Sequence, residues 1–95
     1  MTAYFMVNCS IDDQAMLEEY IAAAGASLAV VPLKLLAMDN DSETVEGTPP
    51  GSRTVLLEFA SKDDFRTWYN SPEYQAAIGK RFAATTGFGV VFSGI

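Results

Sequence analysis

The segment "RTVLLEF", residues 53–59, carries apolar side chains on both of the faces a strand would present. Side chains alternate across a strand. Val55, Leu57 and Phe59 therefore share one face, and Leu56 lies on the other beside Glu58. "AYFMV" at residues 3–7 repeats the pattern, with Ala3, Phe5 and Val7 opposing Tyr4 and Met6. A sheet of such strands needs a covering layer on each side. A chain of 95 residues has room for one core and for helices over one face only. The other layer has to come from a second copy, so the sequence predicts a homodimer with its sheets face to face.

The remaining elements follow from punctuation and periodicity. "AYFMVNC", residues 3–9, reads as a strand rich in strand formers. Ser10 with Asp13 has the form of a capping box, and Met16, Leu17, Tyr20, Ile21 and Ala24 then recur at helical spacing. Gly25 ends that helix, and a further turn spans Ser27 to Val30. Pro32 precedes a strand over residues 33–39. "NDSETVEGTPPGS", residues 40–52, is a loop, with a short ladder expected at Val45 and Glu46. Ser61 and Asp64 open a second helix on a stripe of Phe65, Trp68 and Tyr69. That helix is interrupted after Asn70, because Ser71 can cap a new one and Pro72 suits its first position. Tyr74, Ala77, Ile78, Arg81 and Phe82 line this second piece, and residues 87–95 supply a last strand. The order is βαββαβ, the ferredoxin-like pattern. One α+β domain over residues 1–95 is expected, its antiparallel four-stranded sheet carrying the helices on one face.

Charge and residue types exclude several function classes. The net charge is −6, and the six basic residues are scattered from Lys34 onward. Nucleic acids and anionic membranes require a concentrated positive surface, which is missing. No run approaches the roughly 20 apolar residues that span a bilayer, and the first residues lack the basic region of a signal peptide. The single cysteine, Cys9, permits no intrachain disulfide. A soluble cytoplasmic protein is expected. There is no histidine, which removes His-based triads, His metal sites and imidazole proton transfer.

The residues "AYFMV", "VEG" at 45–47, "LLEFAS" at 56–61, "WYNSPEYQ" at 68–75 and Arg81 resemble the family catalogued as domain of unknown function 1330, over nearly the whole chain. Members usually carry a Gly-Gly-Arg-like turn into the second strand; here it is Pro32, Leu33 and Lys34. The resemblance implies a dimeric α+β barrel and a cavity between sheet and helices. It implies no settled reaction. The wider superfamily includes cofactor-independent monooxygenases, haem-degrading enzymes, lactone isomerases and oligomerisation domains. Its histidine-dependent branches cannot be carried over to a chain without histidine.

Among individual residues, Glu58 sits within an apolar strand, where a carboxylate must be paired or protonated. As a general base it is a catalytic candidate; paired with Arg81, or with Arg53 or Lys34, it is a structural clamp. Arg81 is the second catalytic candidate. Trp68, Tyr69 and Tyr74 either wall an apolar pocket or pack as core. Asn8 can donate into the same cavity, and Lys34 completes the ligand-binding set. Cys9 reads as an inert buried thiol, since no imidazole can activate it. The acids Asp39, Asp41, Glu43 and Glu46 imitate the start of a calcium loop, but Thr44 and Pro50 stand where that loop requires Gly and Glu. Neither a metal nor a cofactor is expected. The predicted function is to bind a small apolar or acidic molecule between sheet and helices. The alternatives are a cofactor-independent enzyme of monooxygenase or isomerase type, and a dimerisation module without ligand.

Overall fold

The computed structural model describes residues 1–95. Its elements are β1 (Ala3–Ile11), α1 (Gln14–Ala24), a 3₁₀ turn (Gly25–Ala29), β2 (Leu33–Asp39), β3 (Arg53–Phe59), α2 (Lys62–Tyr69), α3 (Pro72–Ala84) and β4 (Thr85–Ser93). The strands form one antiparallel sheet in the order β2-β3-β1-β4. The helices cover one face and the other is bare, giving a slab of 32 × 30 × 16 Å.

The helix starts are set by side-chain caps. Ser61 accepts from the Asp64 amide at 3.0 Å, and Ser71 from the Tyr74 amide at 3.1 Å. The break between α2 and α3 is held from both sides. Ser71 Oγ donates to the Trp68 carbonyl at 2.7 Å, while Pro72 takes the first helical position without losing a hydrogen bond. The expected cap at Ser10 is corrected. Pairing of β1 with β4 runs on to Ile11 opposite Thr85, which keeps Ser10 extended. Asp13 caps α1 instead, accepting from the Met16 amide at 3.0 Å. The last strand also begins two residues earlier than expected, at Thr85 directly after α3.

Between β2 and β3, residues 40–52 contain no strand, so the ladder expected at Val45 and Glu46 is absent. The base of this loop is closed by side chains. Asn8 donates to the Gly51 carbonyl at 3.0 Å and accepts from the Gly51 amide at 3.2 Å. Ser42 reaches the Ser52 carbonyl at 2.6 Å.

Register assigns the paired strand residues to their faces; Leu36 stands unpaired in a bulge of β2 between Leu35 and Ala37. Ala3, Phe5, Val7 and Cys9 pair with Phe59, Leu57, Val55 and Arg53 beneath the helices. There Phe5 and Phe59 meet Phe65, Trp68, Tyr74 and Ile78 in the core. Trp68 stacks on Tyr74 with ring centroids 4.0 Å apart. The bare face carries Tyr4, Met6 and Asn8 opposite Glu58, Leu56 and Thr54 on one side, and opposite Phe92, Val90 and Phe88 on the other.

Candidate functional site

The space between sheet and helices is not completely filled. An outer cavity of about 380 Å³ opens along β4, walled by Phe5, Phe65, Tyr69, Phe82 and Val91. Gly87 and Gly89 of β4 border it. A Cβ built on Gly89 would stand 2.8 Å from the Phe5 ring, so only glycine lets that ring lie across β4. An inner chamber of about 70 Å³ lies deeper, walled by Leu17, Tyr20, Val55, Leu57, Trp68 and Tyr74. Arg81, Cys9 and Thr85 line both spaces, so they stand at the junction.

Polar groups converge at that junction. Arg81 on α3 donates from Nη1 to the Tyr74 hydroxyl at 3.1 Å. The Tyr74 and Tyr20 hydroxyls lie 2.8 Å apart. The guanidinium also stands 6.0 Å above the Phe5 ring and 5.3 Å from Phe82. Phe82, expected within the buried stripe, is 61% exposed at the mouth of the outer cavity. No carboxylate lies within ion-pair distance of Arg81: the two ion pairs of the molecule are Arg66–Asp63 and Lys80–Glu19, both at the surface. No Asp or Glu lines either space.

Burial shapes the titrating groups here. Tyr74 is held far above the ordinary phenol range, chiefly by burial and then by Tyr20, against an opposing pull from Arg81. It is a neutral hydrogen-bonding group at any physiological pH. Burial also raises the Cys9 thiol, outweighing the downward pull of Arg53, of Thr85 and of Arg81. That removes the thiolate a nucleophile needs.

The site residues expected from sequence separate into two groups. Trp68, Tyr69, Tyr74 and Arg81 come together around the two spaces. Glu58, Lys34 and Asn8 do not. Glu58 lies on the bare face, opposite Tyr4 in β1 and Lys34 in β2. Of the three cations weighed for Glu58, Arg81 and Arg53 lie on the other side of the sheet, and Lys34 is its cross-strand neighbour but forms no ion pair with it. Exposed Lys34 shares that face, and Asn8 is occupied with the 40–52 loop and Thr54. Sequence reasoning passed over Arg53 and Tyr20 as site residues. Position 53 has the parity of Val55, Leu57 and Phe59, which was the available signal that its side chain runs beneath the helices. Trp68 contributes packing as well: its indole N–H donates to Ser27 Oγ at 3.1 Å.

A ferredoxin-like α+β domain with a cavity under its helices is the class this structure defines. The chain belongs to the family described as domain of unknown function DUF1330, whose model matches residues 2–95. No curated protein matches it significantly. Among solved structures it is similar to a protein of unknown function from Rhodopseudomonas palustris, with a TM-score of 0.74 and 16% identity over 99% of this chain and 82% of that one. It is also similar to SnoaB, a cofactor-independent oxygenase from Streptomyces nogalater, with a TM-score of 0.69 and 18% identity over 99% of this chain and 93% of the other. A dimeric ferredoxin-like protein of unknown function from Thermobifida fusca gives a TM-score of 0.64 and 18% identity, covering 98% and 91% of the two chains. At these identities the likeness is one of fold.

Proposed function

We propose that this protein binds a small organic acid, its apolar body in the outer cavity and its anionic head at Arg81. The observation that carries this reading is the unpaired guanidinium. A half-buried cation with no carboxylate partner is costly, and an anionic ligand at the junction relieves that cost. The outer cavity, at about 380 Å³, falls within the usual range for small-molecule sites, about 300–1,000 Å³. Its aromatic lining suits a flat or branched apolar body.

A binder is favoured over an enzyme because proton transfer needs a group that can titrate near neutrality. Around the cavity there is no carboxylate and no imidazole, the Tyr74 phenol is locked neutral, and the Cys9 thiol is pushed upward. The similarity to an oxygenase adds fold, not these groups.

The same reading includes a homodimer. On the bare face, Phe88 is 49%, Val90 41% and Phe92 42% exposed around Met6 and Leu56. A sheet face of a 32 × 30 Å slab suffices for the roughly 800 Å² per partner that a stable interface covers. No helix is long and apolar enough to cross a membrane. The lone free thiol Cys9 suits a reducing compartment such as the cytoplasm.

Titration with phenylacetate, followed by the fluorescence of the single tryptophan, Trp68, tests the binding reading. Saturable binding that Arg81→Gln weakens about tenfold or more is expected. Absence of binding, or binding indifferent to Arg81, overturns it.

A further inference from the structure

Arg53 is a second guanidinium beneath the helices, and its charge is also unmatched. It opens β3 on the covered face, is 8% exposed and lines the inner chamber. Its Nη1 donates to Asn40 Oδ1 at 2.6 Å and its Nη2 to the Met38 sulfur at 3.3 Å. Both acceptors are neutral, and a thioether is a weak one. Neither ion pair of the molecule involves Arg53. The chain has 12 acidic and six basic residues, yet this interior holds two arginines and no acid. The two charges act on one point. Cys9 pairs directly with Arg53 across β1 and β3, and both guanidiniums pull on its thiol.

The phenols add a third donor. An arginine only donates, so the Arg81 contact consumes a lone pair of Tyr74 and no phenol proton. The single contact between Tyr20 and Tyr74 consumes one of their two protons. No other protein acceptor meets either hydroxyl, so one phenol proton is unspent. The inner chamber thus faces its contents with two cations and a free donor.

On the reading that the cavity takes an apolar-bodied acid, we propose that the head group carries two negative charges and sits between Arg53 and Arg81. A phosphonate or phosphate-monoester head and a geminal dicarboxylate both have this chemistry. The chamber, at about 70 Å³, limits the head to a few heavy atoms, while the body occupies the outer cavity.

The test compares phenylacetate with phenylphosphonate and phenylmalonate, at a pH where the latter two are dianions, by Trp68 fluorescence. At least one dianion is expected to bind about tenfold or more tightly than phenylacetate, the scale of one added charged hydrogen bond. Which one does so separates a phosphonate-type head from a dicarboxylate. In Arg53→Gln the ratio of dianion to monoanion affinity should fall to near unity, and Arg53→Lys should restore part of it. If phenylacetate binds and neither dianion binds tighter to the wild-type protein, this inference is overturned while the broader reading stands. That arm needs no variant, so poor folding of Arg53→Gln cannot shelter the proposal. If none of the three binds, both readings fail.

Discussion

The Arg81 guanidinium donates to the Tyr74 hydroxyl at 3.1 Å, and no carboxylate is in reach to neutralise it. The contact ties α3 to the aromatic stack of Trp68 and Tyr74 and holds the charge at the junction of the two spaces. Arg81→Gln should therefore cost binding more than folding. Acid affinity should fall about ten- to a hundredfold, as for loss of a charge-assisted hydrogen bond. Calorimetric melting of the same variant should show a much smaller change than that of Tyr74→Phe.

Tyr74→Phe removes the hydroxyl that contacts both Arg81 and Tyr20. A loss of about 1–3 kcal/mol is expected from the unsatisfied partners. In a domain of this size each kcal/mol lowers the melting temperature by about 4–8 °C.

The pH dependence of the same pair carries a sign. Burial raises the folded-state pKa of Tyr74 above that of the unfolded chain. The unfolded phenol thus loses its proton first, at about pH 10. Stability is fully present below that pH and falls above it, by about 1.4 kcal/mol per pH unit for one proton. Urea unfolding of the wild-type protein at rising pH should show this extra slope relative to Tyr74→Phe. Parallel profiles would contradict the burial argument.

The helix break depends on Ser71 more than on Pro72. Ser71→Ala removes both the cap on the Tyr74 amide and the bond to the Trp68 carbonyl, and should cost about 1–2 kcal/mol. Pro72→Ala should cost less than about 1 kcal/mol, since proline there mainly restricts the unfolded chain. Urea midpoints of the two variants rank the contributions.

The two faces of the sheet should separate two phenotypes. Glu58→Gln should leave acid binding unchanged, because Glu58 lies on the bare face. Leu56→Asp puts a charge at the middle of that face and should give a folded monomer, read by sedimentation together with far-ultraviolet dichroism. A dimer that survives Leu56→Asp would contradict the face-to-face arrangement.

Much of this fold was legible in the residues. β2 and β3 are bounded by Pro32 and by the turn-rich 40–52 segment, and Ser71–Pro72 marks the break, because these signals are local. Ser10 misled because a Ser-x-x-Asp pattern caps a helix only if the chain leaves its strand there, and pairing with β4 decides otherwise. Glu58 misled differently. Strand parity separated it from Val55, Leu57 and Phe59, but the direction in which Arg81 points is a tertiary fact. Arg53 was weighed only as a partner for Glu58, although its parity with Val55, Leu57 and Phe59 places it on the opposite face, beneath the helices.

The most direct measurement is native mass spectrometry of the protein isolated from its own cells, compared with Arg81→Gln isolated alike. The account predicts a dimer carrying a reproducible additional mass that proves to be an organic acid, absent from the variant. A bare protein, or a bound neutral molecule retained equally by the variant, would contradict it.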